Sequence, residues 1–342
     1  MIRLGDYTPG RDNNTPLLRL LAATLVIAFH SCALTNRWGD DPLYRMTNDT
    51  NMGALGVNVF FVLSGFLITQ SWLRRPRLPV YFAARVLRIY PALIAAVAFS
   101  IFLGGLSSAL PWDRFLADPM TRAFALNAFG WRIAFPLPGA FPSNPFPGGV
   151  NGSLWTLPVE LRLYVGVAIL GFCGILARRN VYALALPALI VLFAAKPEWL
   201  PLPTEIKAVF ELTLLFALGS FAYVWRERIP LSLAAVAAAL VLYLWNPGGW
   251  VRGLGVTLIT TYTVLVLAYH PRIQAPRFNR SGDYSYGLYV YAFPIQQTIM
   301  FHAPRLTTVE LLIPAFLATL AVAAVSWHFL EQPVLGLKSR FA

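Results

Sequence analysis

The sequence predicts an all-α fold, a bundle of helices that cross a membrane, and three observations predict it. Only 12% of the 342 residues are charged while 57% are hydrophobic, against about 25% charged in soluble domains. The mean hydropathy is +0.60. Apolar runs near the about 20 residues that a spanning helix needs recur from one end of the chain to the other. A chain so composed has too little polar surface for a water-soluble sphere, so its solvent must be lipid.

The runs lie at 17–36, 54–73, 89–107, 152–177, 181–195, 204–224, 230–246, 251–269, 284–302 and 309–329, about ten spans, of which the fifth and seventh are short. An even count puts both termini on one side. Basic residues collect in cytoplasmic loops. With the N-terminus inside, Arg3, Arg11, Arg19, Arg74, Arg75, Arg77, Arg85, Arg88, Arg178, Arg179, Arg226, Arg228, Arg272, Arg277, Arg280, Lys338 and Arg340 are all inside. Asp40, Asp41, Asp49, Asp113, Asp118 and Glu198 fall outside. Both termini are therefore expected in the cytoplasm. This asymmetry accounts for the net charge of +12 without a nucleic-acid partner.

The first run lacks a small-residue cleavage site and continues into Thr35-Asn36-Arg37, which reads as a retained span and not a signal peptide. Cys32 and Cys173 both lie in apolar segments, so neither a disulfide nor a metal site is expected. The one long connection, 108–151, is expected on the outer side and is rich in Pro and Gly. Connections of this size are usually functional or disordered. Its Trp112, Trp131 and phenylalanines suit an interfacial lid, a sugar-stacking surface or a loop lying on the headgroups, and 114–131 suits an amphipathic or re-entrant helix. The whole chain, 1–342, is expected to be one integral membrane domain without a fused soluble domain.

Ionisable groups inside a span are costly and usually functional. The first span carries Arg19 and, eleven positions on, His30, about 16 Å and three turns apart, so that their faces nearly coincide. An imidazole suits base catalysis near neutrality; a core histidine bonded to a neighbouring helix is the plain alternative. In the second span Asn58 and Ser64 interrupt an apolar helix, and Ser64-Gly65 permits close helix approach. Arg85 and Arg88 are i, i+3 neighbours at the expected cytoplasmic surface. Such a pair suits the phosphates of a nucleotide-bearing donor such as coenzyme A, or anionic lipid. The fourth span opens Gly152-Ser-Leu-Trp155-Thr-Leu-Pro-Val-Glu160-Leu-Arg162, and a carboxylate about two turns inside needs a partner, His30 or Arg162. Glu211 is a further carboxylate in an apolar run, without a motif. The ninth span gathers Tyr284, Tyr286, Tyr289 and Tyr291 before Pro294, a cavity wall or interfacial packing. The last ends in Trp327-His328-Phe-Leu-Glu331-Gln-Pro333.

In order, these segments resemble membrane-bound acyltransferase family 3 over nearly the whole length. The marks are Arg19 and His30 in the first span, Phe60-Phe-Val-Leu-Ser-Gly-Phe66 in the second and Arg85-x-x-Arg88 before the third. Gly152-Ser-x-Trp-x-Leu-x-x-Glu160, Ser285-Tyr-x-x-Tyr289 and Glu331-x-Pro333 complete the set. The resemblance implies a ten-helix enzyme of the bacterial cytoplasmic (inner) membrane that takes acetyl-CoA as co-substrate from the cytoplasm, needs no metal and O-acetylates a glycan or lipid-linked sugar. Carried over, His30 is catalytic with Arg19 its motif partner, Arg85 and Arg88 bind the donor, and Glu160 is the acidic residue. Trp155, Asn58, Ser64, Tyr286 and Tyr289 are expected at the acceptor. Many relatives in the family carry a histidine just before the proline of the ninth span, where this chain has Phe293-Pro294, which argues against a mechanism of two membrane histidines. Peptidoglycan acetylation that relies on a fused outer domain is disfavoured for the same chain. A lipid, peptide or antibiotic acceptor stays open. A transporter would show coupling-ion carboxylates in paired halves, and Glu160 and Glu211 have no such symmetry.

Overall fold

The computed structural model describes residues 2–7, 13–48, 50–195, 206–245, 251–275 and 282–338. Arg11, Asp49, Glu198, Arg277, Arg280 and Arg340, on which the charge asymmetry draws, lie outside the described residues. Among the described residues the only β pairing is an isolated bridge between Arg3 and Pro230. The helices, in chain order, are α1 (Thr15–Leu34), α2 (Pro42–Thr47), α3 (Met52–Arg74), α4 (Leu78–Ser107), α5 (Trp112–Ala117), α6 (Pro119–Ala125) and α7 (Leu157–Phe172). They continue with α8 (Arg179–Ala195), α9 (Ile206–Val224), α10 (Leu233–Trp245), α11 (Val251–Tyr269), α12 (Ser285–His302), α13 (Thr308–Ser326) and α14 (Gln332–Gly336).

Each of the ten apolar segments contains a helix among its described residues. Five stretches among the described residues have the length and hydropathy to cross a membrane: α1, α3, α4, Gly152–Phe172 and Thr308–Gly336. Two boundaries differ from the sequence reading. The third segment was expected to begin at 89, but α4 begins eleven residues earlier, at Leu78, with Pro79 in its first turn where a missing N–H costs nothing. Arg85 and Arg88 therefore sit well inside a 30-residue helix and not at its entry. The fourth segment opens with a 3-10 turn, Gly152–Thr156, started by the Asn151 side chain accepting from the Ser153 amide. The α-helix proper begins at Leu157, so Glu160 lies in its first turn and not two turns deep. The helix dipole favours a carboxylate there.

The chain forms two compact units. In the first (Met1–Arg19, Val57–Tyr81 and Arg162–Ser281) α9 packs on α8 and α11, and α10 on α11. The crossing of α3 and α9 is a backbone contact. A Cβ at Gly65 would overlap the Phe216 carbonyl oxygen, and one at Gly219 would overlap that of Val62. Small residues let membrane helices approach this closely and gain dispersion contacts where lipid offers no hydrophobic drive. Beside them Thr69, Ser220 and Tyr182 form a buried hydroxyl chain (2.6 and 2.7 Å). Gly65→Leu is expected to cost about 3 kcal/mol or more, since neither backbone can yield without moving a helix. Thermal unfolding in detergent should show a markedly lower midpoint, and an unchanged one would contradict the crossing.

The second unit comprises Leu20–Gly56, Phe82–Leu161 and Gly282–Ala342. Its centre is α12, buried almost throughout from Ser285 to Gln297, which packs on α13 and on the Gly152–Thr156 turn. Leu34, Phe293, Met300, Leu311 and Ala315 form a common core of α1, α12 and α13. The long 108–151 connection folds as α5, α6 and a 3-10 turn at Leu126–Phe129, where an amphipathic or re-entrant helix was expected. Its irregular remainder is tied down by side-chain amides. Asn127 both donates to and accepts from Ala134 (2.7 Å each). Gln297 of α12 donates to the carbonyls of Phe146 and Gly149 (2.7 Å each) while Asn144 donates to the Gln297 carbonyl and side chain (2.8 and 2.7 Å). A loop whose buried amides are paired in this way is part of the packed unit.

Candidate active site

α12 supplies the spine of the site. Tyr286, Tyr289, Phe293 and Gln296 are spaced 3, 4 and 3 residues apart, the repeat that keeps side chains on one helical face. The stripe runs about 15 Å along the axis. Its middle is shaped by Pro294, which lacks the N–H that would bond the Val290 carbonyl four residues back. Asn151 fills that vacancy, its Nδ2 donating to the Val290 oxygen at 2.9 Å. The Gly152–Thr156 turn is thereby docked on α12, and a Cβ at Gly152 would meet the Phe293 ring at 2.6 Å. Farther along, the Thr156 and Tyr289 hydroxyls bond at 2.8 Å.

At one end of the stripe lies His30. Its ring is half-buried, edge-on to Phe293 with centroids 4.9 Å apart and tilted against Phe29 at 5.8 Å. Phe293, the residue before Pro294, thus packs against the His30 ring. His30, one of the two partners considered for Glu160, makes no such pair: its Nδ1 is buried with no hydrogen-bond partner, and its ring contacts are aromatic. Gln296 grips the helix on either side of His30, its Nε2 donating to the Ile27 carbonyl (2.9 Å) and to the Ser31 hydroxyl (2.8 Å). That orientation commits the amide nitrogen to α1 and leaves Gln296 Oε1 without a donor; Ser153 Oγ and the Tyr286 hydroxyl are likewise buried and unpartnered. Buried polar atoms are normally satisfied. Of these four orphans two lie on the α12 stripe, one on the turn docked on it and one on the His30 ring of α1.

At the other end lies Arg88, half-buried on α4. It pairs with Asp283 at 2.6 Å and with Glu331 at 3.4 Å, and its guanidinium lies over the rings of Tyr286 (5.8 Å) and Trp327 (5.6 Å). Asp283 also accepts from the Ser285 hydroxyl at the start of α12. Glu331, only 1% exposed, ends a five-residue π turn, Trp327–Glu331, that interrupts the last helix; such turns recur at functional sites. Ser326 donates to Glu331 at 3.1 Å and shares a 3.2 Å contact with Tyr291. Glu160 lies in the first turn of α7, directly after the Gly152–Thr156 turn docked on α12.

The second unit thus holds seven of the residues expected from sequence: His30, Arg85, Arg88, Trp155, Glu160, Tyr286 and Tyr289. Arg85 is half-buried one turn before Arg88, and Trp155 is half-buried in the Gly152–Thr156 turn. Arg19, Asn58 and Ser64 belong to the first unit, all half-buried, with the Ser64 hydroxyl 3.1 Å from that of Tyr164. Gln296, Ser153 and Asp283 were not singled out by the sequence reading. The 3-4-3 spacing from Tyr286 was the available sign of Gln296. Nothing in sequence pairs Asp283 with Arg88, 195 residues away. No cluster of three His, Cys, Asp or Glu that would hold a metal occurs among the described residues.

A family model described as an acyltransferase domain matches residues 16–328. The chain belongs to this acyltransferase family. It is an O-acyltransferase, similar over 96% of its length to an O-acetyl transferase of Shigella phage Sf6 (27% identical, 98% of that protein covered). It is similar over 98% of its length to nodulation protein 10 of Rhizobium leguminosarum (26% identical, 96% covered). A putative peptidoglycan O-acetyltransferase of Bacillus subtilis is 24% identical over 96% of this chain, which spans 55% of that longer protein. No solved structure matches.

Proposed function

We propose that this acyltransferase moves an acetyl group from cytoplasmic acetyl-CoA to a hydroxyl of a glycan or lipid-linked sugar, as a multi-pass protein of a bacterial inner membrane with about ten spans and both termini inside. The observation that carries the reading is the α12 stripe, which joins a carboxylate-held arginine at one end to a half-buried imidazole at the other. The printed names of the phage and Bacillus relatives support acetyl as the group, and that of the latter supports a glycan acceptor.

In this reading Arg85 and Arg88 meet the donor's phosphates, Arg88 held in place by Asp283 and Glu331. Arg19 acts with His30, and Trp155, Asn58, Ser64, Tyr286 and Tyr289 face the acceptor with Glu160. His30 takes the acceptor's hydroxyl proton as its oxygen attacks the thioester carbonyl. The carbon–oxygen bond forms, the carbon–sulfur bond breaks, and the leaving thiolate recovers the proton from the imidazolium. In the covalent variant the ring nitrogen first takes the acetyl group itself and then passes it on. An acetylated His30 trapped with donor and no acceptor distinguishes the two.

The test is release of free thiol from acetyl-CoA by the purified protein in detergent. Release that depends on an added envelope glycan fraction is expected. Release that depends only on a lipid alcohol or a peptide would overturn the acceptor class, and release over many turnovers, beyond one equivalent per protein, with no hydroxyl acceptor of any kind would overturn the reading.

A further inference from the structure

The first unit holds a concavity of ≈ 450 Å³ whose lining includes none of the site residues expected from sequence. Its walls are the last residue of α3 (Arg74), the first of α8 (Arg179), Tyr223 at the end of α9, and Arg226 and Glu227 in the turn that follows. The N-terminal segment closes one side. Gly5 N donates to the Arg226 carbonyl (2.8 Å), Leu4 N to that of Ile229 (2.9 Å), and Leu231 N to that of Ile2 (2.9 Å).

The charges are arranged as a receptor. Glu227 accepts from Arg179 at 2.8 Å and lies 3.5 Å from Arg226, so one carboxylate holds two guanidinium groups at the rim. Arg226 is further fixed by donating to the Tyr223 carbonyl (2.9 Å) and by stacking 4.4 Å from the Tyr223 ring. The Arg179 hydrogen bond, first among several arginine effects, holds the Glu227 carboxyl below the usual carboxylate range, so the clamp is charged at neutral pH. Two arginines, Arg179 and Arg226, share the one carboxylate of Glu227 and leave a net positive charge on this clamp. Planar guanidinium forks match phosphate oxygens two at a time.

We propose that this concavity binds a phosphate group, the chemistry shared by the nucleotide end of coenzyme A and the headgroup of an anionic phospholipid. The site is independent of the His30 chemistry and stands or falls separately from it. Two probes tell the sources apart. Coenzyme A and dephospho-coenzyme A are titrated into the purified full-length protein in uncharged detergent, and the protein is reconstituted in nanodiscs of phosphatidylcholine with or without phosphatidylglycerol to measure lipid retention.

The R179Q/R226Q double variant is expected to weaken one probe about tenfold or more, the loss typical of charge-assisted contacts. E227Q, which keeps an acceptor for Arg179 but raises the excess charge, is expected to tighten the same probe severalfold, and a gain cannot come from misfolding. An effect on coenzyme A but not on its dephospho form assigns a nucleotide phosphate, and an effect on phosphatidylglycerol retention alone assigns a headgroup. Unchanged affinity for both probes in both variants would overturn the proposal.

Discussion

Replacing His30 by alanine is expected to lower acetyl transfer by about three orders of magnitude, within the range that a positioned general base contributes. The protein should still fold, because the ring makes aromatic contacts and no hydrogen bond that other residues depend on. Donor affinity should be nearly unchanged, so the loss falls on kcat and not on KM for acetyl-CoA. Gln296→Leu provides the companion result. It removes the amide that holds α1 on either side of His30 but leaves the imidazole in place, so transfer should fall by a smaller factor, about tenfold to a hundredfold. Full activity in H30A protein, or a loss that appears only in KM, would show that this imidazole does not carry the reaction.

The second large effect is at Glu331. Removing one partner from a buried ion pair leaves an uncompensated charge and costs about 3–5 kcal/mol. Glu331→Ala takes the fully buried partner from Arg88, which keeps Asp283, and also the acceptor from Ser326, so its cost is expected at the lower end of that range. Arg88→Ala is expected to be comparably damaging because it strands both Asp283 and Glu331. It is therefore not a clean probe of donor binding. The double variant should be less destabilised than the sum of the singles. Unfolding midpoints for the four proteins test this cycle, and strict additivity would mean that the pair is not coupled.

How much of this was legible beforehand depends on the range of the interaction. Helix positions follow from apolar run length, a local property, and each of the ten segments contains a helix among its described residues. The start of α4 was misplaced because its first eleven residues mix Arg, Pro and aromatics and do not read as a run, although a helix end continues through such residues when Pro sits in the first turn. Glu160 was set too deep because the turn before α7 is 3-10, fixed by the Asn151 cap that hydropathy does not see. The motif residues His30, Arg88 and Glu160 stood out as ionisable groups in apolar surroundings. Their partners did not. Asp283 and Glu331 reach Arg88 across 195 and 243 residues. Gln296 reads as one more polar residue after a proline until its amide is seen clasping α1. The choice between His30 and Arg162 as partner of Glu160 shows the same limit, since proximity in the motif list does not decide which helix faces which.

The account rests on an imidazole that handles an acyl group, and following the acetyl carbon tests it most directly. Purified wild-type and H30A proteins are given acetyl-CoA labelled at the carbonyl together with envelope glycan, and the label is traced by NMR after a single turnover. The account predicts that the label leaves the thioester and appears as a sugar ester in the wild type, and stays on coenzyme A with H30A. Ester label formed equally by both proteins would contradict it.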